Sequence, residues 1–384
     1  MDYSETGYAG AYAGRIRVLH VAEPAGGVAG YLKTLFRYTD HERTENILVC
    51  SQHYTPTDFA GLCDAVENVD MAHEISPADD MRSVAAIRKL IHKYSPDIVY
   101  AHSSKSGALL RMADMGISNK VIYNPHGWAF EMNVSDKKRA LYRRIERLQI
   151  PFTDRVVCIS DSERKAAQRE HICPEYKLSV VWNGIDTDEV KKAVPVSREA
   201  LGIPEDIPVI GMAGRIVEQK APDVFIRAAA LIKRKIPSAY FLIVGGGRLR
   251  PQISDMIIRL GLTDCCQITG WVDNPYSYMK IFDVGVLLSR WEGFGLAVPE
   301  MMYCGVPVVS SSVGGLREII TDGRNGLLVP PDDPEKAADA VIRLLDDHAL
   351  MDHLRTNGRR TVLRRYDGRR MAEEMEEIYG EVLC

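Results

Sequence analysis

The chain has 384 residues, 46% of them hydrophobic and 26% charged, enough for two domains at the usual ~100–200 residues each. Its 48 Lys and Arg face 52 Asp and Glu, a net charge of −4, divided as 23 basic and 26 acidic side chains through residue 190 and 25 and 26 beyond it. That balance excludes a nucleic-acid binder working through bulk charge, and no apolar run approaches the ~18 residues that span a bilayer. The eight cysteines show no CxxC pair and no framework spacing. They read as reduced core thiols of a cytoplasmic protein, so neither disulfides nor a zinc site are expected. Residues 1–14 are polar and rich in Tyr and Gly, lack the basic and apolar regions of a signal peptide, and read as disordered.

From Arg15 onward, short β-branched runs alternate with amphipathic stretches. Ile16–Ala22 reads as a strand, Gly26-Gly27 as a turn and Val28–Thr39 as a helix. Further strands are expected at Asn46–Cys50, Asp97–His102, Lys120–Asn124, Arg155–Ser160 and Leu178–Trp182. Helical patterns lie between them at Asp80–Tyr94, Lys105–Met115, Ser135–Gln149 and Ser162–Glu170. Near-continuous apolar strands alternating with helices imply a parallel sheet covered on both faces.

The rhythm breaks at Asn183-Gly184-Ile185-Asp186 and a polar stretch running to Ile203-Pro204. It restarts with strands at Val209–Ala213, Tyr240–Val244, Gln267–Thr269, Val284–Leu288, Val306–Ser310 and Gly326–Val329. The matching helices are Pro222–Lys235, Arg248–Leu260, Leu296–Cys304, Gly315–Thr321 and Pro334–Asp346, and a charged helix near Arg369–Val382 closes the chain. The expected architecture is α/β: two Rossmann-like, doubly wound domains at 1–190 and 206–365, joined by a linker at 191–205. A terminal helix within 366–384 would pack back on the first domain. In such folds ligands bind at the carboxyl ends of the strands, here facing an interdomain cleft.

Most of the chemistry lies in Ser289-Arg290-Trp291-Glu292-Gly293-Phe294-Gly295-Leu296-Ala297-Val298-Pro299-Glu300. A strand ends, a glycine-bearing turn follows, and a helix starts. Glycines let a ligand approach the backbone, and free N–H groups at a helix start suit sugar or phosphate oxygens. Glu292 lies before the helix and Glu300 about one turn inside it, so both carboxylates can accept from polyol hydroxyls in one pocket. Directly after another strand, Gly214-Arg215-Ile216-Val217-Glu218-Gln219-Lys220 brings a planar cationic fork and a point charge together, as a diphosphate requires.

With Glu292 and Glu300 in an E-x7-E pattern, the sequence resembles the retaining glycosyltransferases of family 4. Gly305-Val306-Pro307-Val308-Val309, Gly314-Gly315 with Glu318-Ile319-Ile320, Asp322-Gly323 and Asn325-Gly326-Leu327-Leu328-Val329 continue the match, which runs from about Arg15 to Leu345. The resemblance implies a GT-B fold and transfer of a hexose-type sugar from a nucleotide diphosphate donor, UDP-sugar favoured, to an acceptor hydroxyl. A lipid-linked glycan of capsule or exopolysaccharide assembly is the implied acceptor. It puts Arg215 and Lys220 on the diphosphate, Glu300 on the ribose, and Glu292 with the Gly293, Phe294, Gly295 and Leu296 backbone on the sugar. Gly214, the glycine turn Gly245-Gly246 and the pair Trp271-Val272 would lie beside the nucleotide. Ala221 departs from the family's more usual glycine.

In the first half the resemblance places Gly26-Gly27 near the donor phosphate and the acceptor. It also makes His126, in Asn124-Pro125-His126-Gly127-Trp128, an imidazole beside the transferred sugar. His102 and Lys105, at another strand end, are candidates for the acceptor. His20 lies inside a strand and reads as structural, although inverting GT-B enzymes use a base at about this depth. Asp186-Thr187-Asp188 has the DxD form of a metal site but falls in the linker, so it reads as a turn; no metal or other cofactor is expected. Finally, Ser135–Leu148 carries six basic side chains, Lys137, Lys138, Arg139, Arg143, Arg144 and Arg147, interleaved with Leu141, Tyr142, Ile145 and Leu148. Such a helix suits either an anionic membrane surface, on the inner face of the cell membrane, or a solvated face over a core. An inverting GT-B transferase, a sugar-nucleotide epimerase and a non-catalytic nucleotide-sugar-binding protein remain the alternatives.

Overall fold

The computed structural model describes residues 14–23, 26–51, 56–71 and 76–384; the reading of residues 1–13 as disordered lies outside them. The first domain alternates β1 (Ile16–Ala22), α1 (Gly27–Tyr38), β2 (Thr44–Cys50), β3 (Ala65–Asn68), α2 (Pro77–Tyr94), β4 (Ile98–His102), α3 (Ser104–Ala113) and β5 (Lys120–Asn124). It continues with α4 (Asp136–Gln149), β6 (Arg155–Cys158), α5 (Asp161–Arg169), β7 (Leu178–Val180) and α6 (Thr187–Lys192). The second runs β8 (Val209–Ala213), α7 (Pro222–Lys235), β9 (Tyr240–Val244), α8 (Arg250–Arg259), β10 (Cys266–Gly270), α9 (Pro275–Met279), β11 (Val284–Leu287) and α10 (Ala297–Tyr303). It ends with β12 (Val308–Ser311), α11 (Leu316–Ile319), β13 (Leu327–Val329), α12 (Pro334–Asp346), α13 (His348–Arg365) and α14 (Gly368–Leu383).

Both sheets are parallel, ordered β3-β2-β1-β4-β5-β6-β7 and β10-β9-β8-β11-β12-β13. The strand order reverses between β1 and β4 in one and between β8 and β11 in the other, and the loops leaving a reversal point diverge to opposite faces and leave a crevice. The two crevices hold the loops with Gly26, His102, Arg215 and Glu292. This is the GT-B architecture, and all eight cysteines in it are free thiols.

Four elements escape the sequence pattern. Strand β3 is a four-residue edge strand of Ala-Val-Glu-Asn, too short to alternate visibly. Helix α6 starts where the rhythm breaks and runs into the stretch read as linker: Asp186 caps it by accepting from the Glu189 N–H at 3.0 Å and is ion-paired to Arg37 at 2.7 Å. The five-residue α9 begins at Pro275 with Asn274 as its cap. The largest omission is α13, whose apolar stripe is only Met351, Leu354 and Val362, with Gly358 close to Met302 of α10. So narrow a stripe among charges carries little periodic signal.

Helix α14 belongs to the first domain. Met371, Ala372, Met375, Ile378, Tyr379 and Val382 are buried with Val18, Tyr31, Leu32, Leu35 and Phe36 in one cluster. The return crossing is tied by backbone bonds, Ile185 N–H to Tyr366 C=O at 2.8 Å and Gly368 N–H to Ile185 C=O at 2.9 Å.

A buried ion pair docks α4. The Arg111 guanidinium of α3 donates to Glu146 Oε2 at 3.2 Å, Tyr123 O–H donates to Oε1 at 2.8 Å, and the guanidinium lies 4.1 Å above the Tyr123 ring. Arg111 is 1% and Glu146 3% exposed. Removing one partner strands a buried charge, so Glu146→Leu should destabilise the fold by about 3–5 kcal/mol in urea denaturation. The double variant Arg111→Met/Glu146→Leu should recover most of that loss.

Candidate active site

The second domain's loops are stitched together before any ligand arrives. After β8 the chain turns at Gly214, whose N–H donates to Val244 C=O at 2.9 Å, and Ile216 N–H donates to Gly246 C=O at 2.8 Å. Gly245 has φ +142°, and a β-carbon there would lie 2.1 Å from the Gly214 carbonyl oxygen. Only glycine fits. The Gly245-Gly246 turn thus supports the loop that carries Arg215 and Lys220. The Trp271 indole lies over Gly246 and is 68% exposed, with Val272 partly buried behind it.

Glu292 is the hub. Its carboxylate is ion-paired to Lys220 and accepts from Ser289 O–H at 3.1 Å. Gln219 donates to Glu292 Oε1 at 3.4 Å and to Trp291 C=O at 3.2 Å, while Arg215 donates to Gln219 Oε1 at 3.5 Å. The Lys220–Glu292 ion pair joins the two loops, and Arg215 is tethered to it through the neutral Gln219 amide. Beneath them, Gly315 N–H donates to Glu292 C=O at 3.1 Å, and a β-carbon on Gly314 would lie 2.0 Å from that oxygen. Phe294 is 2% exposed and packs edge-on against Tyr366 at 5.4 Å, so its side chain is core and only its backbone reaches the loop. Glu300, in the first turn of α10, accepts from Tyr276 O–H at 3.3 Å. Burial pushes its pKa up to about 7, against the pull of the Tyr276 bond and the Lys220 charge.

The first domain meets this surface at three places. A β-carbon on Gly26 would lie 3.3 Å from Arg215 Cδ, and one on Gly27 3.9 Å from the Leu296 side chain. One on Gly293 would lie 3.3 Å from Gly127 Cα. The loop that brings Gly127 there is held by Glu163, which accepts from Gly127 N–H at 2.6 Å and Ile159 N–H at 2.7 Å and has its pKa pushed up to about 8 by burial. Glu318 of α11 crosses between the domains and accepts from Asp161 N–H at 2.8 Å and Ser162 N–H at 2.5 Å, the free donors at the start of α5.

His126, partly exposed beside Gly127, adopts φ +49°, a left-handed conformation held by its N–H bond to Asn124 Oδ1 at 2.9 Å. Its Nε2 lies 3.1 Å from His102 Nδ1, and His102 Nε2 lies 3.1 Å from His20 Nδ1. His102 therefore corrects the expectation of an acceptor-binding group: it is fully buried and both ring nitrogens are engaged. Lys105 is ion-paired to Asp80 at 2.5 Å on the flank of α2. His20 is fully buried within β1. In the DxD sequence, Asp186 is a helix cap and Asp188 is ion-paired to Arg369 at 2.5 Å.

Tyr276, the cross-domain role of Glu318 and the bond of Glu163 to Gly127 carry no local sequence signal, since each depends on partners distant in the chain. Gln219 lies within Gly214–Lys220, yet its bridging role depends on the approach of the β11 loop.

Two family descriptions match the chain in tandem: Glycosyltransferase Family 4 over residues 25–189 and Glycosyl transferases group 1 over residues 194–361. The chain is 28% identical over 91% of its length to the Escherichia coli UDP-Gal:alpha-D-GlcNAc-diphosphoundecaprenol alpha-1,3-galactosyltransferase, of which it covers 92%. It is 30% identical to a D-inositol 3-phosphate glycosyltransferase of Saccharomonospora viridis, with 75% of this chain and 70% of that one aligned. In fold it is similar to the sucrose-phosphate synthase of Thermosynechococcus elongatus, with TM-score 0.83, 22% identity and coverage of 96% and 99%. Anabaena HepE in complex with UDP and glucose gives TM-score 0.82 at 20% identity, with coverage of 96% and 100%.

The Glu300 carboxyl offers a direct check on this geometry. Carbon-13 NMR of the free protein should show it titrating near 7, above the ordinary glutamate value. Tyr276→Phe should raise it further, because the lost hydrogen bond favours the charged form.

Proposed function

Given that the chain belongs to the group 1 and family 4 glycosyltransferases, we propose that it is a retaining, metal-independent hexosyltransferase using a UDP-sugar and a lipid-linked glycan acceptor. The observation that carries this reading is the joined set Arg215–Gln219–Glu292–Lys220 opposite Gly26, Gly27 and the His126 loop. Two cations at one opening suit a diphosphate, whose departure develops the largest charge in the transition state. Arg215 and Lys220 stabilise that leaving group, with no metal ion needed. Lys220 is held by Glu292 until the donor arrives, and Glu292 with the Gly293–Gly295 backbone then receives the sugar hydroxyls. Glu300 accepts from the ribose.

The acceptor hydroxyl enters from the Gly27 and His126 side. Retention follows from attack on the face that the diphosphate leaves, with a phosphate oxygen taking the acceptor proton as the new C–O bond forms. His20 is poorly suited to serve as the base of an inverting reaction, since it is fully buried and hydrogen-bonded at both nitrogens. Closure of the cleft would exclude the water that otherwise hydrolyses the donor. The E. coli relative's name describes a galactosyl transfer to a diphosphoundecaprenol-linked sugar, and that name supports a lipid-linked glycan as the acceptor class.

Such an acceptor calls for a membrane-facing surface, and α4 supplies one. Leu141 is 48% and Leu148 64% exposed, and Phe152 just beyond is 45% exposed. Arg139, Arg143 and Arg147 are engaged with Asp136, Glu170 and the Glu170 and His171 carbonyls. Lys137, Lys138 and Arg144 point outward, and each exposed cation contributes about 1 kcal/mol at an anionic lipid surface. No helix among the described residues is long and apolar enough to cross a membrane.

Calorimetric titration with UDP, GDP and ADP in excess EDTA should give binding to UDP alone, and a requirement for Mg²⁺ or Mn²⁺ would overturn the metal-independent reading. Affinity should fall by up to about tenfold from pH 8 to pH 6 as Glu300 takes up a proton, and the Glu300→Gln variant should bind weakly with a flat profile. Turnover should vanish in Glu292→Ala with folding intact, and NMR of the product should show the donor's anomeric configuration. In liposome flotation the protein should rise with anionic vesicles and less so after Lys137→Ala/Lys138→Ala/Arg144→Ala; equal recovery on neutral vesicles would count against membrane contact.

A further inference from the structure

The three histidines of the first domain form an unbroken hydrogen-bonded row that begins at a buried amide and ends at the cleft. Asn46 Oδ1 lies 3.0 Å from His20 Nε2, His20 Nδ1 lies 3.1 Å from His102 Nε2, and His102 Nδ1 lies 3.1 Å from His126 Nε2. The rings lie nearly parallel, 14° apart between His20 and His102 and 30° between His102 and His126. Asn46, His20 and His102 are all fully buried, whereas His126 is partly exposed.

A neutral imidazole has one N–H and one bare nitrogen, so each ring in such a row must donate at one side and accept at the other. Burial favours the neutral form throughout, holding His20 and His126 down to about 3 and His102 well below its ordinary value. The row then has a single direction, set by the Asn46 amide atom that faces His20. With Oδ1 turned to it, which can only accept, His20 donates from Nε2, His102 donates from Nε2 to His20 Nδ1, and His126 donates from Nε2 to His102 Nδ1. The bare nitrogen left over is His126 Nδ1, which has no hydrogen-bond partner among the described residues. The Asn46 amide nitrogen is itself buried and unpartnered. Leaving that nitrogen unpaired costs stability, so its retention calls for an explanation, which the remaining bond to His20 can supply.

We propose that Asn46, His20 and His102 are positioning residues that hold His126 in the Nε2–H tautomer, leaving Nδ1 as a fixed acceptor for a hydroxyl of the bound sugar. The row ends inside the fold at Asn46, which cannot take a proton, so it orients and does not conduct. The tautomer assignment is a property of the free protein; the sugar hydroxyl as its user rests on the transferase reading above. A fixed acceptor discriminates against a donor sugar lacking that hydroxyl, since the polar group would be left unpaired.

The test is nitrogen-15 NMR of the histidine-labelled full chain, in which bare and protonated ring nitrogens resonate far apart. His126 should show a bare Nδ1 and a protonated Nε2. Asn46→Leu should shift both His126 resonances toward a mixture of tautomers from two rings away, and His102→Phe should do the same if Asn46→Leu folds poorly. The buried but remote Ile87→Ala should leave them unchanged. A protonated Nδ1 in the wild type, or unchanged His126 resonances in both row variants, would overturn the proposal. UDP titration of the same samples separates the two readings: absent UDP binding in wild type refutes the nucleotide assignment and leaves the tautomer result standing.

Discussion

The domains touch backbone to backbone where Gly127 meets Gly293, and the geometry of the cleft depends on that approach. A β-carbon on Gly293 would stand 3.3 Å from Gly127 Cα and equally close to the Ile159 side chain. Each glycine sits in a loop that leaves the carboxyl end of a strand, and each loop carries a polar side chain one residue earlier. His126 precedes Gly127 and Glu292 precedes Gly293. The contact therefore brings an imidazole from one sheet and a carboxylate from the other toward one opening.

Around this contact the fold uses buried carboxyl groups to hold loops, not to build cores. Glu163 sits beneath the Gly127 loop accepting two backbone N–H groups, and Glu318 reaches from α11 to the open donors of α5. Lys220 and Glu292 neutralise each other between two loops of the second domain. Carboxylates at these places satisfy donors that loop backbone would otherwise leave unpaired, which is why they tolerate burial. The Glu318 contact also ties relative domain position to α5, the helix that carries Glu163.

The row from Asn46 to His126 extends the same logic inward. Loop histidines are free to choose either tautomer in water, and one facing a ligand would lose that choice only on binding. A chain of neutral rings rooted in a buried amide removes the choice beforehand. The geometry that does so comes from β1, β2 and β4, adjacent in the sheet by register, with His20 beside Leu48 and Tyr100.

Strand and helix alternation and the two-domain fold were legible in the sequence because each rests on local spacing. Short continuous apolar runs, helical stretches of period 3.6 and glycines at strand ends announce themselves within a dozen residues. The loop at Gly214 after β8 and the turn at His126 after β5 were legible as loops for the same reason. Elements whose stability comes from tertiary partners were not: α6 is fixed by Arg37 and Asp186, and α13 by a narrow stripe against α10 and α12. His102 shows the limit most plainly. Its place after a strand made it a surface candidate, and only the register of β1, β4 and β5 decided that it lies wholly buried between two other histidines. Local spacing could thus name the residue types at the strand ends. Which of them faces the cleft, which supports another, and which nitrogen of His126 stays open were settled by strand order and domain contact, because those bring together groups that the chain keeps far apart.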